Sequence, residues 1–184
     1  MIGYAMCGSF CTIKDNIKII ERLVEEGYDL QPIMSEILYR SDTRFGKASD
    51  INERVIQLCK REIIHTVIEA EPIGPKGYLD MLVIAPCTGN TLAKLANGIT
   101  DTSVTMAAKA MLRQNKPLLI ALASNDALSA NLKNIAVMRN RKNIYFTEMS
   151  MDDKISKPYS LVAHFDKVPE DIKRIMELSK NNDR

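Results

Sequence analysis

Apolar runs and amphipathic stretches alternate along nearly the whole chain. Ile2–Met6, Leu30–Met34, Met81–Ala85 and Leu118–Ala123 are largely apolar runs of strand length, and Ile63–Ile68 and Asn143–Phe146 are shorter ones. Strands this apolar suit a sheet buried on both faces, as parallel sheets are. Between them lie stretches with helical spacing. Thr12–Gly27 places Ile17, Ile20, Leu23 and Val24 on one face and ends in glycine, which favours a helix C-terminus. Asp50–Lys60 carries Ile51, Val55, Ile56 and Cys59 on its apolar face, with Ser49 or Asp50 as cap. Leu92–Asn97, Val104–Arg113 and Leu128–Asn140 also read as helices, and Pro169–Lys180 closes the chain with Ile172, Ile175, Met176 and Leu178. Strands alternating with helices predict a parallel sheet with helices on both faces, and the right-handed crossover makes it doubly wound. No repeat, linker or low-complexity tract interrupts the pattern, so a single domain over 1–184 is expected.

In such a sheet the loops after the strands gather at one edge, where open α/β folds bind ligands. Four loops fall there: Cys7-Gly8-Ser9-Phe10-Cys11-Thr12, Ser35-Glu36, Pro86-Cys87-Thr88-Gly89-Asn90-Thr91 and Ser124-Asn125-Asp126. Each is rich in hydroxyls, amides or glycine. Gly8-Ser9 ahead of a helix suits a phosphate, because glycine admits a close backbone approach and the helix start offers N–H donors. Taken singly, each loop reads as an ordinary helix cap; four on one edge point to a ligand. Neither G-x-G-x-x-G after the first strand nor G-x-x-x-x-G-K-[ST] occurs, which argues against a self-sufficient NAD enzyme or a P-loop ATPase.

Composition narrows the classes. The 184 residues are 46% hydrophobic and 26% charged, as in ordinary globular proteins, and the net charge of +2 does not suggest nucleic acid or an anionic membrane as partner. No apolar run is long enough for a bilayer span, and the N-terminus lacks the basic start and apolar stretch of a secretory signal, so a cytoplasmic protein is expected. The four cysteines, Cys7, Cys11, Cys59 and Cys87, read as reduced, small, buried residues. With only His65 and His164 beside them, no metal site is expected.

Pro86-Cys-Thr-Gly-Asn-Thr91, continuing Leu-Ala-Lys-Leu-Ala-Asn-Gly-Ile-Thr-Asp101, resembles the P-x-A-N-T…K-x-A-x-G-x-x-D signature of the homo-oligomeric flavin-containing cysteine decarboxylase superfamily. Gly8-Ser9 with Lys14 resembles its first loop, G-S-x-x-x-x-K. Within the superfamily the combination is most similar to the group of dipicolinate synthase B-type subunits. The segments that carry this are Asp42-Thr-Arg-Phe-Gly46, Glu71-Pro-Ile-Gly-Pro75, Val104-Thr-Met-Ala-Ala-Lys109, Ser124-Asn-Asp126, Lys142-Asn-Ile-Tyr-Phe146 and Lys157-Pro-Tyr-Ser-Leu-Val-Ala163.

The resemblance implies a flavodoxin-like, Rossmann-like three-layer fold that binds FMN and assembles as trimers or larger homo-oligomers. It implies that Gly8, Ser9 and Ser35 face the FMN phosphate, with Thr88 and Thr91 as a hydroxyl pair near it, and that Asn90 reaches toward cofactor and substrate carboxylate; Phe10, Pro86, Cys87, Ser124 and Asn125, in the same loops, complete the expected cofactor site. It further implies a part in oxidising a dihydrodipicolinate precursor to dipicolinate during endospore formation, in the mother cell. The partner would be the dehydrogenase-like A-type subunit of dipicolinate synthase, which brings NAD(P).

Arg44 and Lys157 are candidate clamps for the substrate carboxylates, chosen over Lys76, Lys94 and Arg113; Asn90 and Glu71 are the candidates for catalysis. The chain departs from the decarboxylases at two points. Ile73-Gly-Pro-Lys-Gly77 stands where their catalytic histidine lies, leaving His65 to a structural role, and Gly89 replaces the signature alanine. Two other readings remain open: a flavin-dependent decarboxylase of another small carboxylate, and a non-catalytic partner of the A-type subunit.

Overall fold

The computed structural model describes residues 1–182. In chain order the elements are β1 (Ile2–Met6), α1 (Ile13–Glu25), β2 (Leu30–Met34), α2 (Glu36–Arg40), α3 (Ala48–Cys59), α4 (Val67–Ala70), α5 (Ile73–Lys76), β3 (Met81–Thr88), α6 (Gly89–Ala96), α7 (Ser103–Arg113), β4 (Leu118–Ser124), α8 (Leu132–Arg139), β5 (Ile144–Phe146), β6 (Met149–Asp153), β7 (Lys157–Ala163) and α9 (Val168–Asn182). They form a three-layer, flavodoxin-like α/β fold around a seven-stranded sheet of order β2-β1-β3-β4-β7-β6. β1 to β5 are parallel. The far edge of β4 is shared: Leu118–Ile120 pair in parallel with β5, and Ala123–Ser124 pair antiparallel with β7.

The period-two alternation of the central strands makes two cores. Ile2, Tyr4 and Met6 with Met81, Val83 and Ala85 face the layer of α1, α3 and α9. Ala5 and Cys7 with Leu82 and Ile84 face the layer of α4 to α8. All of these side chains are buried, so β1 and β3 form the rigid centre from which the loops at the carboxyl edge project.

Four expectations need correction. The hairpin β6–β7 has no counterpart among the elements the sequence pattern predicts. Its strands are half exposed and carry charge and Pro158, so no apolar run marks them. Ile63–Ile68 is not a strand: Ile64 makes one parallel bridge to Ile33, and a capping box between Thr66 and Glu69 then starts α4. Pro86–Thr91 is not a loop, because β3 runs to Thr88 and α6 begins at Gly89. The third helix starts before Ser49 and Asp50, where the Asp42 carboxylate accepts from Ala48 N–H at 2.8 Å. The closing helix and the other strands fall where the pattern puts them, within a few residues.

Candidate functional site

Residues from β1, β2 and β3 meet at the carboxyl edge of the sheet. Ser35 N–H donates to Met6 carbonyl at 2.9 Å, tying the end of β2 to that of β1, and Cys7 N–H donates to Pro86 carbonyl at 3.0 Å, tying β1 to β3. Thr91 Oγ1 donates to Cys7 Sγ at 3.2 Å. The Gly8-Ser9 loop, Ser35, Thr88 and the start of α6 therefore share one rim. A Cβ on Gly8 would lie 3.1 Å from Ile37 Cγ2 and 3.5 Å from the Phe10 ring, so glycine lets the loop run close under these two side chains.

The rim's polar atoms divide into bonded and free. Thr88 Oγ1 caps α6, accepting from Thr91 N–H at 3.3 Å, and donates to Thr91 Oγ1 at 3.2 Å. Thr91 is buried, so its hydroxyl serves the cap and Cys7 rather than a ligand. Ser9 Oγ accepts from Thr12 Oγ1 at 3.1 Å. Ser35 Oγ is different. It is buried at the start of α2 and has no hydrogen-bond partner among the described residues. An orphaned hydroxyl beside a glycine–serine loop suits an acceptor such as a phosphate oxygen. Asn90 is exposed on the first turn of α6.

Pro86 and Cys87 are wholly buried in β3, so only their backbone faces the rim; the Cys87 thiol packs in the core and burial pushes its pKa up. Ser124 lies at the end of β4 and donates to Asp126 Oδ1 at 2.5 Å, while exposed Asn125 accepts from Ser160 at 3.4 Å. Asn131 Nδ2 donates to both Asp126 oxygens at 2.9 Å, and Asn134 Nδ2 to Asn131 Oδ1 at 2.8 Å. The Ser124 hydroxyl and the Asn131 amide hold the Asp126 carboxyl below its ordinary pKa. This cluster sits directly on Gly89. A Cβ there would lie 2.6 Å from Asn131 Nδ2, 2.9 Å from Asp126 Oδ1 and closer still to Ser124 Oγ. Asp126 and Asn131 are missing from the sequence-based site; the glycine in place of the signature alanine was the signal.

Three further candidates move. Glu71 is exposed at the corner between α4 and α5, whose next residues bond to Gln114 at the far end of α7, ahead of β4. It is not brought to the rim, so its catalytic role is dropped. Lys157 pairs with Asp152 across the hairpin at 2.5 Å, and that carboxylate raises its pKa. It is therefore not a free clamp. Arg44 is exposed, in a turn closed by Thr43 and Gly46, with its guanidinium 4.8 Å from the Phe45 ring centroid. His65 stacks on Tyr39 at 3.7 Å and lies 3.1 Å from Glu69, in keeping with a structural role. Lys94 pairs with Asp101 on the outer face of α6.

Two cavities flank the first turns of α1. The larger, about 550 Å³, lies between α1 and the hairpin; Asp15, Asp152 and Asp166 line it against Lys18 and His164. The smaller, about 310 Å³, lies between α1 and the 43–47 turn, with Lys14, Lys47 and Arg54 against Asp50. The first disfavours an anion and the second attracts one. Among the described residues no cluster of His, Cys, Asp or Glu could hold a metal, and no helix is long and apolar enough to cross a membrane.

The sequence profile of the Flavoprotein family matches residues 1–181. The chain belongs to the Flavoprotein family. The B-type subunit of dipicolinate synthase from Bacillus subtilis is 40% identical over 95% of this chain and 88% of its own length. The crystal structure of the corresponding B-type subunit from Bacillus halodurans superposes with a TM-score of 0.87 at 40% identity, covering 96% of this chain and 90% of that one. The FMN-dependent cysteine decarboxylase SpaF shares the fold, with a TM-score of 0.70 at 18% identity over 97% and 96% of the two chains.

The cysteines are free, and Cys11 is the exposed one; the expectation that all four are buried fails there because Cys11 sits on the outer side of the short turn before α1. Burial pushes the Cys7 thiol up to about 11 and the Cys59 thiol up to about 12. Native protein treated with DTNB at pH 8 is expected to release one equivalent of thiolate rapidly and the rest only on unfolding, and Cys11→Ser to abolish the rapid phase. A second rapid equivalent would contradict the burial of Cys59, and further ones that of Cys7 and Cys87.

Proposed function

We propose that the rim formed by Gly8, Ser9, Ser35 and the start of α6 binds FMN through its phosphate. The observation that carries this reading is the buried, unpartnered Ser35 hydroxyl beside the Gly8-Ser9 loop. Family membership supports a flavin over other phosphorylated ligands. Ser9 and Ser35 offer hydroxyl donors to a phosphate, and exposed Asn90 has an amide to orient a carboxylate or ring edge. Bound there, the flavin would supply hydride acceptance. The residues around it bind, orient and exclude water.

The reaction we favour is oxidation of a dihydrodipicolinate precursor to dipicolinate, carried out with a dehydrogenase-like A-type subunit that uses NAD(P). The support is the 40% identity, along nearly the whole chain, to the B-type subunit of a dipicolinate synthase. The smaller cavity's cations suit a dicarboxylate. Homo-oligomers of trimeric or larger size belong to the same proposal.

The direct test is spectral. Protein as purified, or after titration with FMN, should show the two flavin absorption bands and quench FMN fluorescence to a 1:1 endpoint. Ser35→Ala should weaken FMN binding roughly tenfold, the value of one hydrogen bond to a charged group. Its melting temperature should stay level, since the hydroxyl has no protein partner to lose. Protein that neither carries nor takes up FMN would overturn the proposal. Substrate-driven bleaching of bound flavin in a single turnover distinguishes an oxidising role from that of a non-catalytic partner.

A further inference from the structure

We propose that the cavity between α1 and the 43–47 turn is a binding site for a small planar dicarboxylate. It deepens the reading above, and rests on it, by naming where that reaction's substrate would sit. Phe10, Ile13, Ile17, Phe45 and Ile51 give it apolar walls, two of them aromatic. A flat ring is the shape that packs best between such walls. Its volume of about 310 Å³ lies at the lower end for small-molecule sites. That holds one substituted six-membered ring and is too small for a flavin nucleotide.

Charge selects the anion. Lys14 on α1 and Lys47 at the start of α3 line the cavity from two different elements, and Arg44 stands 4.8 Å from the Phe45 ring. None of the three has an ion-pair partner among the described residues. Of the other charged lining residues, Arg54 is held by Glu21 at 2.5 Å, and Asp50 offsets one of the two lysines, so the lining stays net positive. Two free ammonium groups on separate elements match two carboxylates on one ring better than a single one. Phe10 joins this site to the rim, since its ring lies 3.5 Å from the Cβ position of Gly8. A ring seated here is thus one side chain away from the proposed phosphate loop.

The test is calorimetric titration with pyridine-2,6-dicarboxylate, pyridine and inorganic phosphate, on protein with and without FMN. The dicarboxylate should bind saturably, 1:1, more weakly as salt rises, while pyridine and phosphate should bind at least tenfold more weakly. Lys47→Ala should weaken the dicarboxylate roughly tenfold and leave FMN affinity and melting temperature unchanged. Lys18→Ala, in the other cavity, should change nothing. Equal loss in Lys18→Ala, displacement of FMN by the dicarboxylate, or phosphate binding the FMN-loaded protein as tightly as the dicarboxylate does would each overturn the assignment. So would FMN binding with no dicarboxylate binding, an outcome that leaves the flavin reading standing. Failure of FMN alone to bind would sink that reading and leave this site intact.

Discussion

Gly89→Ala should lower the melting temperature by roughly 2–10 °C, from an overpacking cost of about 1–3 kcal/mol spread over a chain of this size. The new methyl group would sit 2.6 Å from Asn131 Nδ2 and 2.9 Å from Asp126 Oδ1, with Ser124 Oγ nearer still. None of these is the loose end of a flexible chain. Ser124 and Asn131 are buried, and both are hydrogen-bonded to Asp126. The methyl can be accommodated only by breaking that cluster or by shifting the first turn of α6, which carries Asn90 and is capped by Thr88. Ser124→Ala in the same chain removes the nearest atom and should recover part of the loss.

The pH dependence provides a second readout. The cluster holds the Asp126 carboxyl below its ordinary pKa, so its stabilisation is present above the unfolded carboxylate range and is lost as pH falls through the lowered folded value. The gap between the wild type and Gly89→Ala should therefore narrow on acidification, and thermal melts from pH 7 downward would show it. A variant that melts with the wild type at every pH would mean the methyl is absorbed elsewhere.

The sequence pattern held most of the fold because β1 to β5 are apolar and helices separate them. Ile2, Tyr4 and Met6 face one core and Ala5 and Cys7 the other, an alternation written directly in residue order. What escaped it depends on contacts distant in sequence. The hairpin β6–β7 exists because β7 finds the free end of β4 at Ala123 and Ser124, and neither of its strands is apolar enough to announce itself. Charge partners escaped because the turn that pairs them was itself unread. Lys157 is a bare cation in sequence, yet the hairpin sets it against Asp152. Glu71 stands out in sequence for its place before Pro72, but Gln114 holds the residues after it at the far end of the sheet.

The candidate site was partly readable. Gly8, Ser9, Ser35 and Thr88 do converge on one rim, because they end neighbouring parallel strands. The sequence did not say which hydroxyls would be free. Thr91 and Ser124 are turned to protein partners, and Ser35 alone among the buried rim hydroxyls is left without one. Residue type names a possible donor; only the fold decides whether its partner is already present.

The same distinction yields the second large effect, at Asn16. Asn16 is fully buried on α1, accepts from Tyr4 Oη at 3.0 Å and donates to Thr12 carbonyl at 2.9 Å. Thr12 in turn bonds Ser9 carbonyl at 2.9 Å and Ser9 Oγ at 3.1 Å. A polar chain thus runs from the middle of β1 to the Gly8-Ser9 loop. Burial raises the Tyr4 phenol's pKa, so the hydroxyl remains a donor that needs an acceptor. Asn16→Ala removes that acceptor and leaves a cavity, at a cost of roughly 3–5 kcal/mol, which lowers the melting temperature on the order of 10 °C.

Adding Tyr4→Phe removes the stranded hydroxyl and should return part of that stability, since deleting both partners costs less than orphaning one. The loop does not recover with it. Thr12 carbonyl still lacks its anchor in the double variant, so the affinity for the FMN proposed to bind this rim, measured by fluorescence quenching on the folded protein, should stay below that of the wild type. Recovery of stability without recovery of affinity would separate the chain's role in the core from its role in holding Ser9. Recovery of both would mean that Ser9 is positioned by its own turn, through the 2.8 Å bond from its N–H to Cys7 carbonyl, and needs no support from the core.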